Sequence, residues 1–287
     1  MQPQGKVGII VLNYNGENYL LRCLESLQKL SYSNKMIIVV DNHSADQSLE
    51  EAKKIFPHFT YLENEENYGF ARGMNQGMQE ALRGGAEAVW LFNNDAWTDR
   101  EALTLLVAES VRYQEGVLLS PLIFDSETKR IWFGKGKINF FRMRAEHREP
   151  SGKELASAAY PSEFLTGCAL FITRTVIEKI GLLDERFFLY YEDADFCFRA
   201  RKEGYPCLVV PRARIWHEEK SRLNPEKISH LVYSGLLFFQ KHSPRPFRAY
   251  LSVYATIRRI KNALDLLFGR KEARLVRRAY ERFYDHR

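Results

Sequence analysis

The sequence has no C-x-x-C pair, no G-x-G-x-x-G or G-x-x-x-x-G-K-[ST] loop, and no long uninterrupted apolar run. Four cysteines, Cys23, Cys168, Cys197 and Cys207, are scattered through 287 residues. That spacing argues against a disulfide framework or a zinc ribbon and suits a reducing cytosol. The missing glycine loops weigh against dehydrogenase and P-loop chemistry. The chain begins M-Q-P-Q-G-K and enters an apolar run at Val7 that Asn13 breaks, too short and wrongly flanked for a signal peptide. No segment reaches the roughly 18 apolar residues that a membrane span needs. A cytoplasmic protein is expected, soluble or lying on the inner face of the plasma membrane. Internal repeats and low-complexity tracts are also absent.

What is present is an ordinary globular composition, 45% hydrophobic, enough to bury a full core. The net charge of +6 is unevenly placed: residues 241–287 hold 13 Lys or Arg against 4 Asp or Glu, and residues 1–240 hold 29 against 32. The basicity therefore belongs to the tail, and no nucleic-acid partner is expected of the main body.

The apolar pattern predicts an α/β fold. Val7 to Tyr14 reads as a strand buried on both faces of a parallel sheet. A helix over about 18–30, a strand Met36 to Val40, a helix Ser48 to Phe56 and a short strand Phe59 to Leu62 complete a βαβ layout. A helix from Ala71 to Arg83 leads to a strand Ala88 to Phe92. Such strands deliver Asn13, Asp41 and Asp95 to the crevice beyond their C-terminal ends, where ligands bind in open parallel sheets. Residues 134–160 have no clear period and read as a mobile loop or insertion. Order returns with an apolar run from Cys168 to Ile172, a helix Asp193 to Lys202 and a strand Leu208 to Val210 closed by Pro211. The tail, 241–287, reads as two basic amphipathic helices separated by Gly269 and appended to a domain of residues 1–240. Either its apolar stripe packs on the domain or a second subunit, or the tail makes peripheral contact with an anionic membrane.

Four stretches carry candidate chemistry. V-V-D-N-H-S-A-D-Q-S places Asp41 after a buried strand, able to accept hydrogen bonds from a ribose hydroxyl or a base, or else, with Ser44, to shape the turn. N-Y-G-F-A-R-G-M-N supplies glycines at a helix start, either for phosphate oxygens on backbone N–H groups or as a simple turn. F-N-N-D and I-W-H end two apolar stretches; Asp95 and His217 together could hold a divalent cation bridging a diphosphate, and singly each is a polar strand end. F-F-L-Y-Y-E-D-A-D-F-C-F-R-A gathers three carboxylates in four residues, which is costly without something to offset their repulsion. Asp195 is expected to pair with Arg199 at i,i+4. Glu192 and Asp193 are read as functional, with helix capping as the alternative.

Taken together, V-L-N-Y-N-G, V-V-D-N-H-S, N-Y-G-F-A-R-G-M-N, F-N-N-D, F-L-T-G-C-A-L-F, G-L-L-D-E-R-F-F-L-Y-Y-E-D-A-D-F and W-H-E-E-K-S resemble, in order, the family 2 glycosyltransferases. The likeness is to the bacterial branch that includes rhamnosyltransferases and galactofuranosyltransferases. It implies a GT-A fold, a Rossmann-like mostly parallel sheet flanked by helices, and inverting transfer from a nucleotide-diphosphate sugar to a glycan or lipid-linked acceptor in cell-surface polysaccharide synthesis. By that resemblance Asp193 is the general base, and Asp95 and His217 hold Mg2+ or Mn2+. Asn13, Tyr14, Asn15 and Asp41 would hold the nucleoside, with Asn67, Gly69, Phe70, Arg72, Asn75 and Asn94 completing the nucleotide site. Thr166, Gly167 and Glu192 would face the acceptor.

Two positions depart from the family pattern. Asn93 stands where many relatives carry the first aspartate of D-x-D, which leaves the metal one fewer anionic ligand. Met74 stands where many have an arginine, with Arg72 as the candidate substitute. A sugar-phosphate nucleotidyltransferase and a non-catalytic nucleotide-sugar or glycan binding protein remain as alternatives.

Overall fold

The computed structural model describes residues 5–218 and 225–285; the end of the W-H-E-E-K-S stretch, Glu219 to Ser221, lies outside them. The chain opens with β1 (Val7–Asn13), α1 (Leu20–Gln28), β2 (Lys35–Asp41), α2 (Ser48–Ile55), β3 (Thr60–Glu63), α3 (Gly69–Arg83) and β4 (Ala88–Asn93). The four strands are parallel, with β1 between β2 and β4 and β3 outside β2. Their near-continuous burial is what strands covered on both faces require. Helix α3 lies close on β1, since a Cβ on Gly77 would come within 2.3 Å of Ile10. The chain crosses from β3 to the far side of β1 to make β4, so a crevice opens at the C-terminal ends of β1 and β4. There Asn13 stands opposite Asp41 and Leu12 opposite Asn93.

The second half extends this sheet. It contains β5 (Ala96–Thr98), α4 (Ala102–Ser110), β6 (Leu118–Asp125), β7 (Ile131–Phe133), β8 (Lys135–Asn139), β9 (Arg144–Arg148), α5 (Gly152–Leu155) and β10 (Tyr160–Pro161). Then come β11 (Ala169–Thr173), α6 (Arg174–Ile180), α7 (Glu192–Lys202) and β12 (Cys207–His217). The sheet runs β10-β12-β6-β11-β4-β1-β2-β3, with β5 on β12 and β7 on β6. Strand β11 is an antiparallel insert between β4 and β6, while β6 and β12 are parallel.

Three features differ from the sequence expectation. Residues 134–160 are an ordered insertion: β8 and β9 form an antiparallel ribbon. Hydrogen bonds from Gly136 N to Ser162 Oγ (2.8 Å) and from Ile138 N to Glu163 Oε2 (2.8 Å) tie the ribbon to the sheet. Its pattern was hidden because only Gly136 and Ile138 of β8 are buried. Strand β12 does not stop at Pro211; its register with β6 shifts between Val210 and Arg214, a bulge that leaves the proline without a ladder bond to make. And a helix, α8 (Pro225–His242), precedes the tail and runs through residue 240.

The expected pair of tail helices follows, α9 (Arg245–Leu267) and α10 (Ala273–Asp285), with Gly269 at φ +69° between them. Helix α10 packs on α8 and α9. Among the described residues no helix is long and apolar enough to cross a membrane.

Helices α7 and α8 are joined through Asp195, which is fully buried. Its Oδ2 accepts from Arg199 Nε at 2.8 Å, the expected i,i+4 pair. Its Oδ1 lies 2.6 Å from both His242 Nε2 and Lys241 Nζ at the end of α8. Arg199 continues the network by donating to the carbonyls of Ile180 (2.7 Å) and Leu182 (2.8 Å). Burial alone would raise the Asp195 pKa, but the bonds from His242, Lys241 and Arg199 more than reverse it and hold the carboxyl below its usual range.

Replacing Asp195 with Ala should cost about 3–5 kcal/mol, because three donors lose a buried anion. Since the native pKa is lowered, the contribution of Asp195 is complete above the unfolded value of about 3.9 and fades as pH falls through the native one. Urea unfolding of both proteins at neutral pH and near pH 3 checks this: the gap between them should narrow in acid.

Candidate active site

The crevice has two parts, joined by the side chain of Asn13. That residue is buried at the end of β1. Its Nδ2 points at Asp41 Oδ1 (2.8 Å), Ser48 Oγ (2.8 Å) and Ser44 Oγ (3.1 Å), while its Oδ1 accepts from Asn94 Nδ2 (3.0 Å). One amide thus fixes the ends of β1 and β2 and the turn after β4.

On the β2 side, Asp41 is buried and also accepts from Ser44 N (2.9 Å) and Ser44 Oγ (2.6 Å), bonds that shape its turn. Asn15, at φ +52°, accepts from Ala45 N (2.8 Å) and donates its own N–H to Ser44 Oγ (3.0 Å). Tyr14 is half exposed. Arg72 stacks over the Tyr68 ring at 3.6 Å from its centroid.

The start of α3 is less open than expected. Asn67 Oδ1 accepts from Gly69 N (2.9 Å), and Phe70 N donates to Phe188 O (2.7 Å), so two of the N–H groups expected to receive phosphate are taken within the chain. Gly69 adopts φ +79°, and a Cβ there would lie 2.5 Å from Phe188 O, so the position requires glycine. Asn75 does not join the others: it is buried and bonded to Leu183 N and O (3.0 Å each) and Glu185 Oε1 (2.9 Å).

On the β4 side a cavity of about 290 Å³ gathers Phe70, Asp95, Thr166, Gly167, Glu192, Asp193 and His217. Trp132 of β7, His147 of β9, Tyr190 and Lys227 of α8 also line it, and sequence reasoning missed them as site residues. Tyr190 lies within the acid cluster already singled out, two residues before Glu192; Trp132, His147 and Lys227 carry no local mark and are brought in by β7 pairing with β6, by the β8–β9 ribbon and by α8. Asp95 and His217 face each other because β5 and β12 pair across Ala96 and His217. Asp95 Oδ1 lies 3.0 Å from His217 Nε2. Yet that oxygen and both ring nitrogens are buried and make no hydrogen bond. The Trp132 ring, with its centroid 4.5 Å from that of His217, holds the imidazole in place.

Two ligands bound at roughly 2.1 Å in neighbouring octahedral positions sit about 3.0 Å apart. The pair therefore fits a divalent cation, which would satisfy the buried oxygen and nitrogen. Among the described residues no group of three His, Cys, Asp or Glu side chains could hold a metal, so phosphate oxygens and water would have to complete the shell.

Opposite this pair, Glu192 and Asp193 open α7. The two residues before the helix, Tyr190 and Tyr191, are both left-handed (φ +69° and +67°), a strained conformation for aromatic side chains and of the kind that concentrates at functional sites. Asp193 Oδ2 accepts from Gly167 N (2.8 Å) and its Oδ1 from Ala194 N (2.6 Å). Glu192 is buried and its Oε2 has no hydrogen-bond partner. Burial, then the neighbouring Asp193 charge, pushes the Glu192 carboxyl well up. Burial pushes Asp193 up as well, against the N–H groups of Gly167 and Ala194 that favour its anion. Both carboxyls are thus more basic than free ones, and Asp193 alone has backbone N–H donors from two residues that favour its anion. Thr166 Oγ1 is occupied by Cys168 N at 3.3 Å.

A mostly parallel central sheet flanked by helices is the fold of the GT-A glycosyltransferases. Residues 8–181 match the sequence profile of glycosyl transferase family 2, and the chain belongs to that family. It is 23% identical over 251 residues to an N-acetylglucosaminyl-diphospho-decaprenol L-rhamnosyltransferase of Mycobacterium tuberculosis, covering 78% of this chain and 80% of that one. It is also 23% identical over 211 residues to the dTDP-rhamnosyl transferase RfbF of Shigella flexneri, covering 72% and 67%. Among solved structures, GalNAc-T7 with UDP, GalNAc and Mn2+ aligns at a TM-score of 0.70 and 17% identity over 86% of this chain, which spans 49% of that longer one. The mannosyltransferase PcManGT from Pyrobaculum calidifontis, with GDP-Man and Mn2+, aligns at 0.61 and 16% identity, covering 97% and 74%.

Substituting Asn13 with Ala strands the polar groups of Asp41, Ser48 and Asn94 and should cost about 1–3 kcal/mol. Chemical denaturation would read the loss.

Proposed function

We propose that the protein is an inverting, metal-dependent glycosyltransferase that moves a sugar from a nucleotide diphosphate to a hydroxyl of a glycan or lipid-linked saccharide. The donor is of the dTDP-rhamnose or UDP-hexose type, and the product belongs to a cell-surface polysaccharide. The observation that carries this reading is the position of Asp193: a carboxylate of raised basicity, held by two backbone N–H groups, in the same cavity as the unbonded Asp95–His217 pair.

In this reading the acceptor hydroxyl oxygen attacks C1 of the donor sugar, its proton passes to an Oδ of Asp193, and the bond from C1 to the diphosphate breaks. Attack from the face opposite the diphosphate inverts C1. Glu192, protonated beside it, donates a hydrogen bond to an acceptor oxygen and orients it. Asp95 and His217 would hold Mg2+ or Mn2+, whose charge neutralises the departing diphosphate as a Lewis acid. Asp41, Asn15 and Tyr14 border the nucleoside, and Arg72 supplies the cation near the phosphates. The catalytic domain extends through the end of α8, whose Lys241 and His242 hold Asp195, with α9 and α10 appended. The enzyme works in the cytoplasm, at or near the inner membrane face where the acceptor is lipid-linked.

The Asp193→Asn variant should lose transfer by about 100-fold or more, while thermal shift with the nucleotide remains near that of the unaltered protein. Near-normal turnover would remove Asp193 as the base. His217→Ala should abolish the stabilisation that Mn2+ adds to nucleotide binding, measured by thermal unfolding with UDP and dTDP. Because the pKa of Asp193 is raised, kcat/KM should fall on the acid side above the ordinary carboxylate range of about 4, and a pH–rate profile with soluble acceptor tests this.

A further inference from the structure

Helix α9 is apolar on two opposite faces. Leu251, Ala255 and Asn262 are buried against the rest of the protein. Roughly half a turn away, Val253, Ile257, Ile260, Leu264 and Leu267 form a continuous row, and each is between 50% and 82% exposed. Phe268, 81% exposed, ends the row, and Tyr250 begins it. A stripe of this length is more than the scattered apolar residues of an ordinary surface.

Its surroundings are basic. Helix α9 holds five Lys or Arg and one Asp, and that acid, Asp265, is already paired with Lys261 (2.7 Å) and Arg270 (3.1 Å). The surface continues onto the tip of the β8–β9 ribbon. There Phe141 is 71% exposed, Arg142 is exposed beside it, and the Tyr250 hydroxyl donates to Phe141 O at 2.7 Å.

From this we infer that α9 and the tip of the β8–β9 ribbon form a docking face for an anionic lipid bilayer, into which the Val253–Leu267 row inserts while the exposed Arg142, Arg245 and Lys261 beside it meet the headgroups. The chemistry is that of an interfacial amphipathic helix: a buried apolar face, flanking cations and aromatic residues at the ends. The 3.5-residue spacing of the row would also suit a helix of a second copy. Charge decides against it. The positions flanking the row are Thr256, Ala263, Tyr254 and Lys261, none of them acidic, so pairing would bring two tails of +9 together without a countercharge. The inference does not depend on the transferase reading. If that reading holds, the face has a use there: β9 also lines the catalytic cavity through His147, so a bilayer on the ribbon tip would lie beside the site of a lipid-carried acceptor.

The test is co-sedimentation of the full chain with vesicles of phosphatidylcholine alone or mixed equally with phosphatidylglycerol, without donor or acceptor. Binding is expected to the mixed vesicles only, weakening as salt rises. The double variant Ile257→Ser, Leu264→Ser should bind about tenfold less or weaker still, and an unchanged thermal unfolding curve would show that it is folded. Equal binding by variant and parent, or no binding by the parent, overturns the inference. A parent dimer in analytical ultracentrifugation that the double variant dissolves would assign the row to a second copy instead.

Discussion

The position of the acid pair rests on a carboxylate that does no chemistry. Asp195 is fully buried and gathers Arg199, Lys241 and His242, so the first turn of α7 is anchored to the end of α8 and, through Arg199, to the carbonyls of Ile180 and Leu182. A buried anion is tolerable only when its partners are all present. Here they come from α7 itself and from the end of α8, and Arg199 reaches on to the loop before α7, so the helical appendage and that loop are coupled to the strength of one site. The strain at Tyr190 and Tyr191 sits between these anchors and the acid pair, and it persists because both sides are fixed.

A second buried polar group does the same for the other half of the crevice. Asn13 draws four partners from β2, its following turn, α2 and the turn after β4. The strands end where hydrophobic burial ends, and the amide converts those loose ends into a rigid floor. Asp41 gains its place from this network, but two of its acceptor positions are spent internally. The part of the site that remains electrostatically unsatisfied is the other cavity, where Asp95, His217 and Glu192 keep buried polar atoms without hydrogen bonds. Unsatisfied groups are expensive, so a ligand that pairs with them gains what the apo protein forgoes.

Much of this was legible because it is local. The apolar runs of β1, β2 and β4, each ending in Asn or Asp, are strand signals with few competitors, and the i,i+4 spacing of Asp195 and Arg199 predicts their contact. What was not legible depends on pairings distant in sequence. His242 and Lys241 carry no mark that they meet Asp195, and Asn75 carries none that it bonds Leu183 and Glu185. Trp132 and His147 sit in a segment whose strands bury too few side chains to show a period. Pro211 reads as a strand end because sequence alone cannot place a bulge opposite it.

The neutral Asn93 gives the aspartate–histidine pair its character. With an amide in place of a second carboxylate, the protein offers one anionic and one neutral ligand; Asn93 lines the same cavity, held there by its backbone, whose N–H bonds to Cys168 O and whose carbonyl accepts from Cys23 Sγ. Hard divalent cations prefer several oxygen ligands and keep water otherwise. In the proposed reaction, the diphosphate would supply the missing charge. Metal affinity would then be low in the free protein and gained together with the donor, so that the cation is held firmly only when there is a leaving group for it to neutralise.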